Sequence, residues 1–129
     1  NNERLLSRYV KEIPEVCYDL LDYATEPLTI VYPQAQYLSS KITAEDGSIG
    51  IRMLKEGFSN QLITKLKTGL VSTSANISGN VAPSGFSDID PKIKSGVDYV
   101  VNLPTHPVTS KPSQIIKISE NSEVTIIRK

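Results

Sequence analysis

The stretch LVSTSANISG, from Leu70 to Gly79, divides into an apolar pair and a run of small polar residues. Leu70 and Val71 are predicted to form a short buried strand. The hydroxyl and amide groups that follow would then lie in a turn at a sheet edge, where side-chain donors and free backbone N–H groups suit phosphate or carboxylate oxygens. The same residues are equally typical of a polar turn that satisfies its own backbone, so both interpretations stay open on this stretch alone.

Strand and helix patterns alternate along the chain before this stretch. PLTIVY at Pro27 to Tyr32 and SIGIRM at Ser48 to Met53 have the composition of strands. Gly69 is placed to end a preceding helix in a left-handed conformation. Apolar residues at helical spacing predict three helices: residues 3–10, residues 14–21 and residues 56–67.

The segments after the polar run complete a sheet. A short helix is predicted around Pro91 to Lys94, and SQIIKIS and EVTIIRK read as paired strands joined by Glu120 to Ser122. The order of elements predicts an α/β (α+β) chain with a twisted mixed β-sheet and flanking helices. At 129 residues, the chain fits a single domain over residues 1–129.

Charge and composition exclude several function classes. Fourteen basic residues balance fourteen acidic ones, so any contact with RNA must be local. No apolar stretch approaches the roughly 20 residues that cross a bilayer, and no secretory layout begins the chain, so we expect a cytoplasmic protein without a membrane partner. Cys17 lies in an apolar helical pattern typical of a small hydrophobe, and the lone His106 is predicted to be an exposed loop residue.

Basic residues stand at several predicted strand ends. Arg52 lies just past the middle of an otherwise apolar strand, where a guanidinium costs stability unless it meets a substrate anion or a protein carboxylate. Lys111 precedes Pro112 and Ser113, and Arg128 closes the last strand. With the polar run, four strand ends carry anion-compatible groups, which indicates one site. The sequence assigns no catalytic residue and no metal ligand, since the common enzyme signatures are absent.

Three of these segments, PLTIVY, SIGIRM and STSANISG, resemble YrdC-like domains in order and spacing. Members of that family condense L-threonine, bicarbonate and ATP to threonylcarbamoyl-AMP and pyrophosphate. Partner proteins then transfer the threonylcarbamoyl group to adenosine 37 of tRNA. The resemblance implies a nucleotidyltransferase that uses Mg²⁺ with ATP, the ion being held largely by phosphates and water.

The resemblance also implies ligand contacts. Arg52 resembles the arginine that holds threonine, and Ser72 and Ser113 would line the same site. Arg128 resembles a nucleotide-facing arginine near the end of the domain, if one residue of extra length is allowed between Ser113 and Arg128. The remaining ATP contacts implied are Ser48, Ser74, Asn76, Ala82 and Ser84.

Some features depart from the family pattern. An earlier Pro-Thr-x-Thr-x-Tyr-Gly strand and Lys-x-Arg-Pro stretch, which supply much of both substrate sites, do not occur here. We therefore expect the chain to represent the carboxyl-terminal two-thirds of the domain and to be inactive alone. The family's Pro-Gly-Pro appears as Thr25-Glu26-Pro27, and Gln114 replaces a threonine of its Ser-Thr-Ile-Ile strand.

Three functions are compatible with these observations: a threonylcarbamoyl-AMP synthase, a noncatalytic YrdC-like relative that binds nucleotide or double-stranded RNA, and a structural α/β domain. The intact SANISG run favours the synthase, because a relative freed from catalysis need not keep it. RNA binding by the family, whether of tRNA or of double-stranded RNA, uses a basic concave face, whereas lysines are scattered in this neutral chain.

Overall fold

The computed structural model describes residues 3–103 and 113–129 of the chain. These residues divide into two compact units. We term residues 3–70 and 113–129 the core unit, and residues 71–103 the loop unit. The assignment of residues 1–129 to a single domain stays a prediction, and His106 and Lys111 lie outside the described residues.

The core unit is built on a four-stranded mixed sheet with helices beside it. The strand order is β2-β1-β3-β4, in which β1 runs parallel to β3 and the two outer pairs are antiparallel. This arrangement confirms the predicted fold class. Its elements are α1 (Glu3–Tyr9), α2 (Glu15–Tyr23), β1 (Leu28–Tyr32), β2 (Ile49–Arg52), α3 (Phe58–Leu66), β3 (Gln114–Ile118) and β4 (Val124–Arg128).

Burial alternates along β1 and gives the sheet two faces. Leu28, Ile30 and Tyr32 are buried on the core face, where helices α1 and α2 pack, while Thr29 and Val31 lie on the opposite face. We term that opposite side the second face of the sheet. The buried hydrophobic side chains form one cluster: Leu6, Val10, Cys17, Leu28, Ile30, Tyr32, Ile116 and Ile118.

Cys17 belongs to this cluster and is fully buried, which confirms its prediction as a small hydrophobic residue. Burial raises the pKa of its thiol to about 11, because the apolar surroundings disfavour the thiolate. The thiol is therefore protonated and shielded in the folded chain.

The end of helix α3 differs from the sequence prediction. Lys67, not Gly69, adopts the left-handed conformation at φ 55°, and its N–H donates to the Ile63 carbonyl at 2.8 Å. Tyr9 of α1 fixes the residues that follow: its hydroxyl lies 2.8 Å from Thr68 Oγ1 and accepts the Gly69 N–H at 3.2 Å. The helix therefore closes two residues before the glycine.

The predicted buried strand at Leu70 and Val71 is wrong. Both residues lie outside any strand, and their side chains are 43% and 72% exposed. Two apolar residues between a glycine and a polar run are too few to establish a ladder, and the described sheet is completed by β3 and β4.

The loop unit contains a 3-10 turn at Phe86–Asp88 and helix α4 at Pro91–Ser95, which confirms the helix predicted there. Asp90 caps α4 by accepting the Lys92 N–H at 2.8 Å, and Pro91 occupies the first turn, where its missing donor is harmless. None of residues 71–103 is buried. Across both units, no described helix combines the length and apolar character needed to cross a membrane.

Candidate functional site

One row of paired residues crosses the sheet of the core unit. Thr29 of β1 lies opposite Arg52 of β2 on one side and opposite Ile115 of β3 on the other. Ile115 in turn lies opposite Arg128 of β4. Because residues directly opposite one another project to the same side of a sheet, this row brings Arg52, Thr29 and Arg128 to the second face.

A β-bulge sets the direction of Arg128. Ile116 pairs with Ile126, but Ile115 pairs with Arg128, so Ile127 is an extra residue in β4. In an unbroken ladder Arg128 would lie opposite Gln114 and would project to the core face. The bulge therefore accommodates the one residue of extra length expected between Ser113 and Arg128, and it keeps the arginine on the second face.

Ser113, immediately before β3, is the centre of a hydrogen-bonded group. Its hydroxyl lies 2.9 Å from Thr29 Oγ1. Its carbonyl oxygen accepts from Arg128 Nε at 3.0 Å and from Arg128 Nη2 at 2.8 Å. Arg128 Nη2 also lies 3.4 Å from the Ser113 hydroxyl. The predicted threonine-site serine and the predicted nucleotide-site arginine are thus in direct contact.

Arg52 is the last residue of β2 and is exposed, so β2 is shorter than predicted and Arg52 lies at its end rather than just past its middle. Its position at the strand end explains why the guanidinium remains hydrated. No salt bridge or side-chain hydrogen bond joins Arg52 to the described part of the chain. Of the two explanations offered by the sequence, the protein carboxylate is therefore not found among these residues.

Ser48, the predicted nucleotide contact just before β2, is buried and held by Asp46. Its N–H and its hydroxyl both donate to Asp46 Oδ1, at 3.0 Å and 2.6 Å. Lys117 of β3 donates to Asp46 Oδ2 at 2.7 Å. The Lys117 ammonium, followed by the two bonds from Ser48, holds the pKa of the Asp46 carboxyl well below its usual range.

In the loop unit, two side chains of the polar run form hydrogen bonds within the loop itself. The Ser74 hydroxyl donates to Asn76 Oδ1, and Asn76 Nδ2 donates to the carbonyls of Ile77 at 3.2 Å and Asn80 at 2.7 Å. Ala75 adopts the left-handed conformation at φ 52°. Ser74 and Asn76 therefore shape the loop that carries them, as the polar-turn interpretation expects. The other predicted site residues of this unit are exposed loop residues: Ser72, Ala82 and Ser84.

Comparison with known proteins identifies the family. The model for the Sua5/YciO/YrdC family, whose description reads "Telomere recombination", matches residues 1–129. The chain belongs to the Sua5/YciO/YrdC family. A Methanocaldococcus jannaschii protein, provisionally named a threonylcarbamoyl-AMP synthase, is 34% identical over 118 residues. That match covers 92% of this chain and 53% of the relative, so the chain spans about half the relative's length. No solved structure matches the chain.

Thr29 is the residue of this Sua5/YciO/YrdC chain that sequence reasoning missed. The interpretation of PLTIVY as a strand gives the Thr29 hydroxyl no separate role. The signal was its position: alternation with Leu28 and Ile30 places Thr29 away from the core. Its partner Ser113 is 84 residues away in sequence, so no local pattern could have joined the two.

The groups gathered on the second face of this family member suit an anion. Guanidinium and hydroxyl groups donate hydrogen bonds, and they match carboxylate or phosphate oxygens. They do not form a Mg²⁺ ligand set, which requires oxygen acceptors in octahedral geometry. Within residues 3–103 and 113–129, no cluster of three or more His, Cys, Asp or Glu side chains is placed to hold a metal ion.

Proposed function

We propose that the protein carrying this chain is a threonylcarbamoyl-AMP synthase, which condenses L-threonine, bicarbonate and ATP to threonylcarbamoyl-AMP and pyrophosphate. One observation carries the proposal. In a chain of the Sua5/YciO/YrdC family, Arg52, which has no salt bridge within the described residues, lies in the same sheet row as the hydroxyl pair of Thr29 and Ser113. An anion-binding row of this kind suits the carboxylate of an amino acid.

The residues divide between two substrates. On the threonine side, Arg52 pairs with the carboxylate and Ser113 contributes a hydroxyl, with Ser72 as a further contact. On the ATP side, the backbone N–H groups of the loop shaped by Ser74 and Asn76 are suited to phosphate oxygens. Completing the ATP contacts implied by the sequence are Ser48, Ala82, Ser84 and Arg128.

The reaction requires charge stabilisation more than covalent help from the protein. The threonine amine forms a C–N bond with bicarbonate carbon and water leaves. A carbamate oxygen then bonds to the α-phosphorus of ATP while pyrophosphate departs. Fixed hydroxyl, amide and guanidinium donors stabilise the charge that develops on the phosphoryl oxygens. Phosphate oxygens of ATP and water would hold Mg²⁺, which would supply further neutralisation of phosphate charge.

The product serves tRNA modification. A mixed carbamic-phosphoric anhydride is an activated donor, so partner proteins that bind tRNA would transfer its threonylcarbamoyl group to adenosine 37. We expect this handover in the cytoplasm. Direct binding of RNA by this chain is not needed for that role.

A turnover assay on the complete protein tests the proposal. Pyrophosphate release is expected only when L-threonine, bicarbonate and ATP are all present. The isolated 129-residue chain is expected to release none, because it lacks the Lys-x-Arg-Pro stretch of the family pattern. Release by the complete protein that persists without threonine would contradict the synthase function.

Substitution of Arg52 tests the threonine side. Arg52→Ala removes a charged hydrogen-bonding partner, so threonine affinity should fall roughly 10- to 100-fold with little change in the unfolding midpoint. Arg4→Ala, which removes another exposed arginine, in α1, is the matched control and should change neither. A loss of stability as large as the loss of affinity would make Arg52 a structural residue.

A further inference from the structure

Thr29, Ser113 and Arg128 form one hydrogen-bonded group. This grouping assigns residues to the two substrates differently from the family resemblance. We propose that Thr29 contacts threonine directly and that Arg128 is a positioning residue that holds Ser113 for the same substrate. This inference rests on the proposed function. It moves Arg128 from the ATP side to the threonine side, and it adds a hydroxyl that the sequence did not single out.

Counting hydrogens shows that the hydroxyl pair of Thr29 and Ser113 has one donor to spare. The two hydroxyls of Thr29 and Ser113 carry two hydrogens, and the 2.9 Å bond between them uses one. Arg128 Nη2 approaches the Ser113 hydroxyl as a donor, so it occupies an acceptor site and no hydrogen. Whichever hydroxyl donates to the other, one O–H of the pair has no hydrogen-bond acceptor among the residues that the structure describes.

Thr29, one member of this pair, lies beside a cation. Arg52 is directly opposite Thr29 in the ladder and has no salt bridge within the described residues. A guanidinium and a hydroxyl donor side by side match an acceptor that is anionic and has two oxygens. A free amino-acid carboxylate has this form. Thr29 and Ser113 are both partly buried, which strengthens hydrogen bonds compared with those in open solvent.

The Arg128 guanidinium is hydrogen-bonded to the backbone of Ser113. Nε and Nη2 converge on the single carbonyl oxygen of Ser113, at 3.0 Å and 2.8 Å. A two-nitrogen contact restrains the peptide group in a way that one donor cannot. Because Ser113 immediately precedes β3, this contact sets where its hydroxyl meets Thr29. The bulge at Ile127 brings Arg128 to the face where the contact forms.

Threonine binding measured on the complete protein tests the role of Thr29. Thr29→Val removes the hydroxyl but keeps the β-branched shape, and it should weaken threonine binding about tenfold. Thr29→Ser keeps the hydroxyl and should stay within about twofold of wild type. Thr125→Val makes the same change at an exposed β4 position, opposite Lys117, and should leave threonine affinity unchanged.

The positioning role predicts an affinity split for Arg128. Arg128→Ala should weaken threonine binding about tenfold and ATP binding less than about twofold, each by calorimetry with the single substrate. Arg128→Gln retains one donor group and should lie between wild type and Arg128→Ala. If Arg128→Ala is unfolded by circular dichroism, the glutamine variant carries the test.

Each result decides between the alternatives. Weaker ATP binding with normal threonine binding in the Arg128 variants would overturn the positioning role. Equal threonine affinity in Thr29→Val and Thr125→Val would overturn direct contact by Thr29. If the wild-type protein itself fails to bind threonine, the proposed function falls together with this inference. If wild type binds threonine and these variants are normal, only the inference falls.

Discussion

The core unit and the loop unit are stabilised by different interactions. Every buried hydrophobic side chain in the described chain belongs to the core unit, where strands β1 and β3 pack against α1 and α2. The loop unit has no buried residue among residues 71–103, and its polar run is held by local bonds such as that from Asn76 to Asn80. Burial of a large apolar side chain contributes about 1.5–3 kcal/mol, whereas one hydrogen bond contributes about 1 kcal/mol.

This difference separates two kinds of proposed ligand contact. Groups on paired strands, such as Arg52 and Thr29, start from backbone positions fixed by the sheet register. Groups on exposed loops, such as Ser84, depend on local turns that open more readily. We therefore expect the proposed threonine side to be preformed and the loop residues to adjust when ATP binds.

Hydrogen exchange gives the largest expected contrast. Amides within β1 and β3 should exchange roughly a thousandfold more slowly than those of residues 71–82, because the strands open only with the core. Exchange followed residue by residue by NMR would measure this ratio. Similar rates in both segments would remove the distinction between the two units.

Truncation of a core side chain should be the next largest effect. Ile30→Ala, at a fully buried position, should lower the free energy of unfolding by about 3 kcal/mol in urea titration, through lost burial and the cavity left behind. Ile30→Val, a smaller truncation, should cost about 1 kcal/mol. Val81→Ala, at a loop-unit position that is 93% exposed, should cost less than about 0.5 kcal/mol.

Acid should weaken the ion pair between Lys117 and Asp46 in the core unit. The bond from Lys117 lowers the pKa of Asp46 in the folded chain below its unfolded value near about 4. Its contribution is therefore fully present above that value and is lost as the pH falls through the folded pKa. Unfolding midpoints measured from about pH 6 to 2 should fall more steeply for wild type than for Asp46→Asn.

The control for this titration lies in the loop unit. Asp98 is exposed and makes no side-chain hydrogen bond within the described residues. The unfolding midpoint of Asp98→Asn should therefore change with pH in the same way as that of wild type. Added salt should reduce the difference in unfolding midpoint between wild type and Asp46→Asn, because both partners of the ion pair are partly exposed. A difference in unfolding midpoint that is independent of both pH and salt would show that the ion pair does not cause it.

Deletion of Ile127 should have the smallest effect. Without the bulge residue, the arginine next along β4 pairs with Ile115 in an unbroken ladder and stays on the second face. Threonine affinity of the complete protein should change less than about twofold. Insertion of one alanine between Ile127 and Arg128 turns the arginine to the core face and should weaken threonine binding about tenfold. The reverse order of these two effects would contradict the role of the bulge.

Local patterns predicted most of the fold. The composition of PLTIVY predicted β1, and helical spacing predicted α1 to α3 to within two residues of their ends. The error at Leu70 and Val71 arose because strand composition counts only where a partner strand is available. The end of α3 was misplaced because Lys67 adopted a conformation that glycine usually provides.

The candidate site was less accessible to sequence reasoning. The sequence pointed to Arg52, Ser113 and Arg128, but their roles came from resemblance and remain predictions. Contacts between distant segments, such as Lys117 with Asp46, depend on strand order and register, which local composition does not encode. The bulge at Ile127 likewise follows from pairing with β3, although a one-residue length difference hinted at it.

The burial of Cys17 has a practical consequence for fluorescence work. A protonated, shielded thiol reacts slowly with maleimide dyes at neutral pH, so this native cysteine need not be removed before labelling. Within this chain, a new cysteine at the exposed Val81 would then take up the dye selectively. The fluorescence of such a probe would report changes in the loop beside Ala82 when nucleotide is added, while the buried Cys17 stays unlabelled.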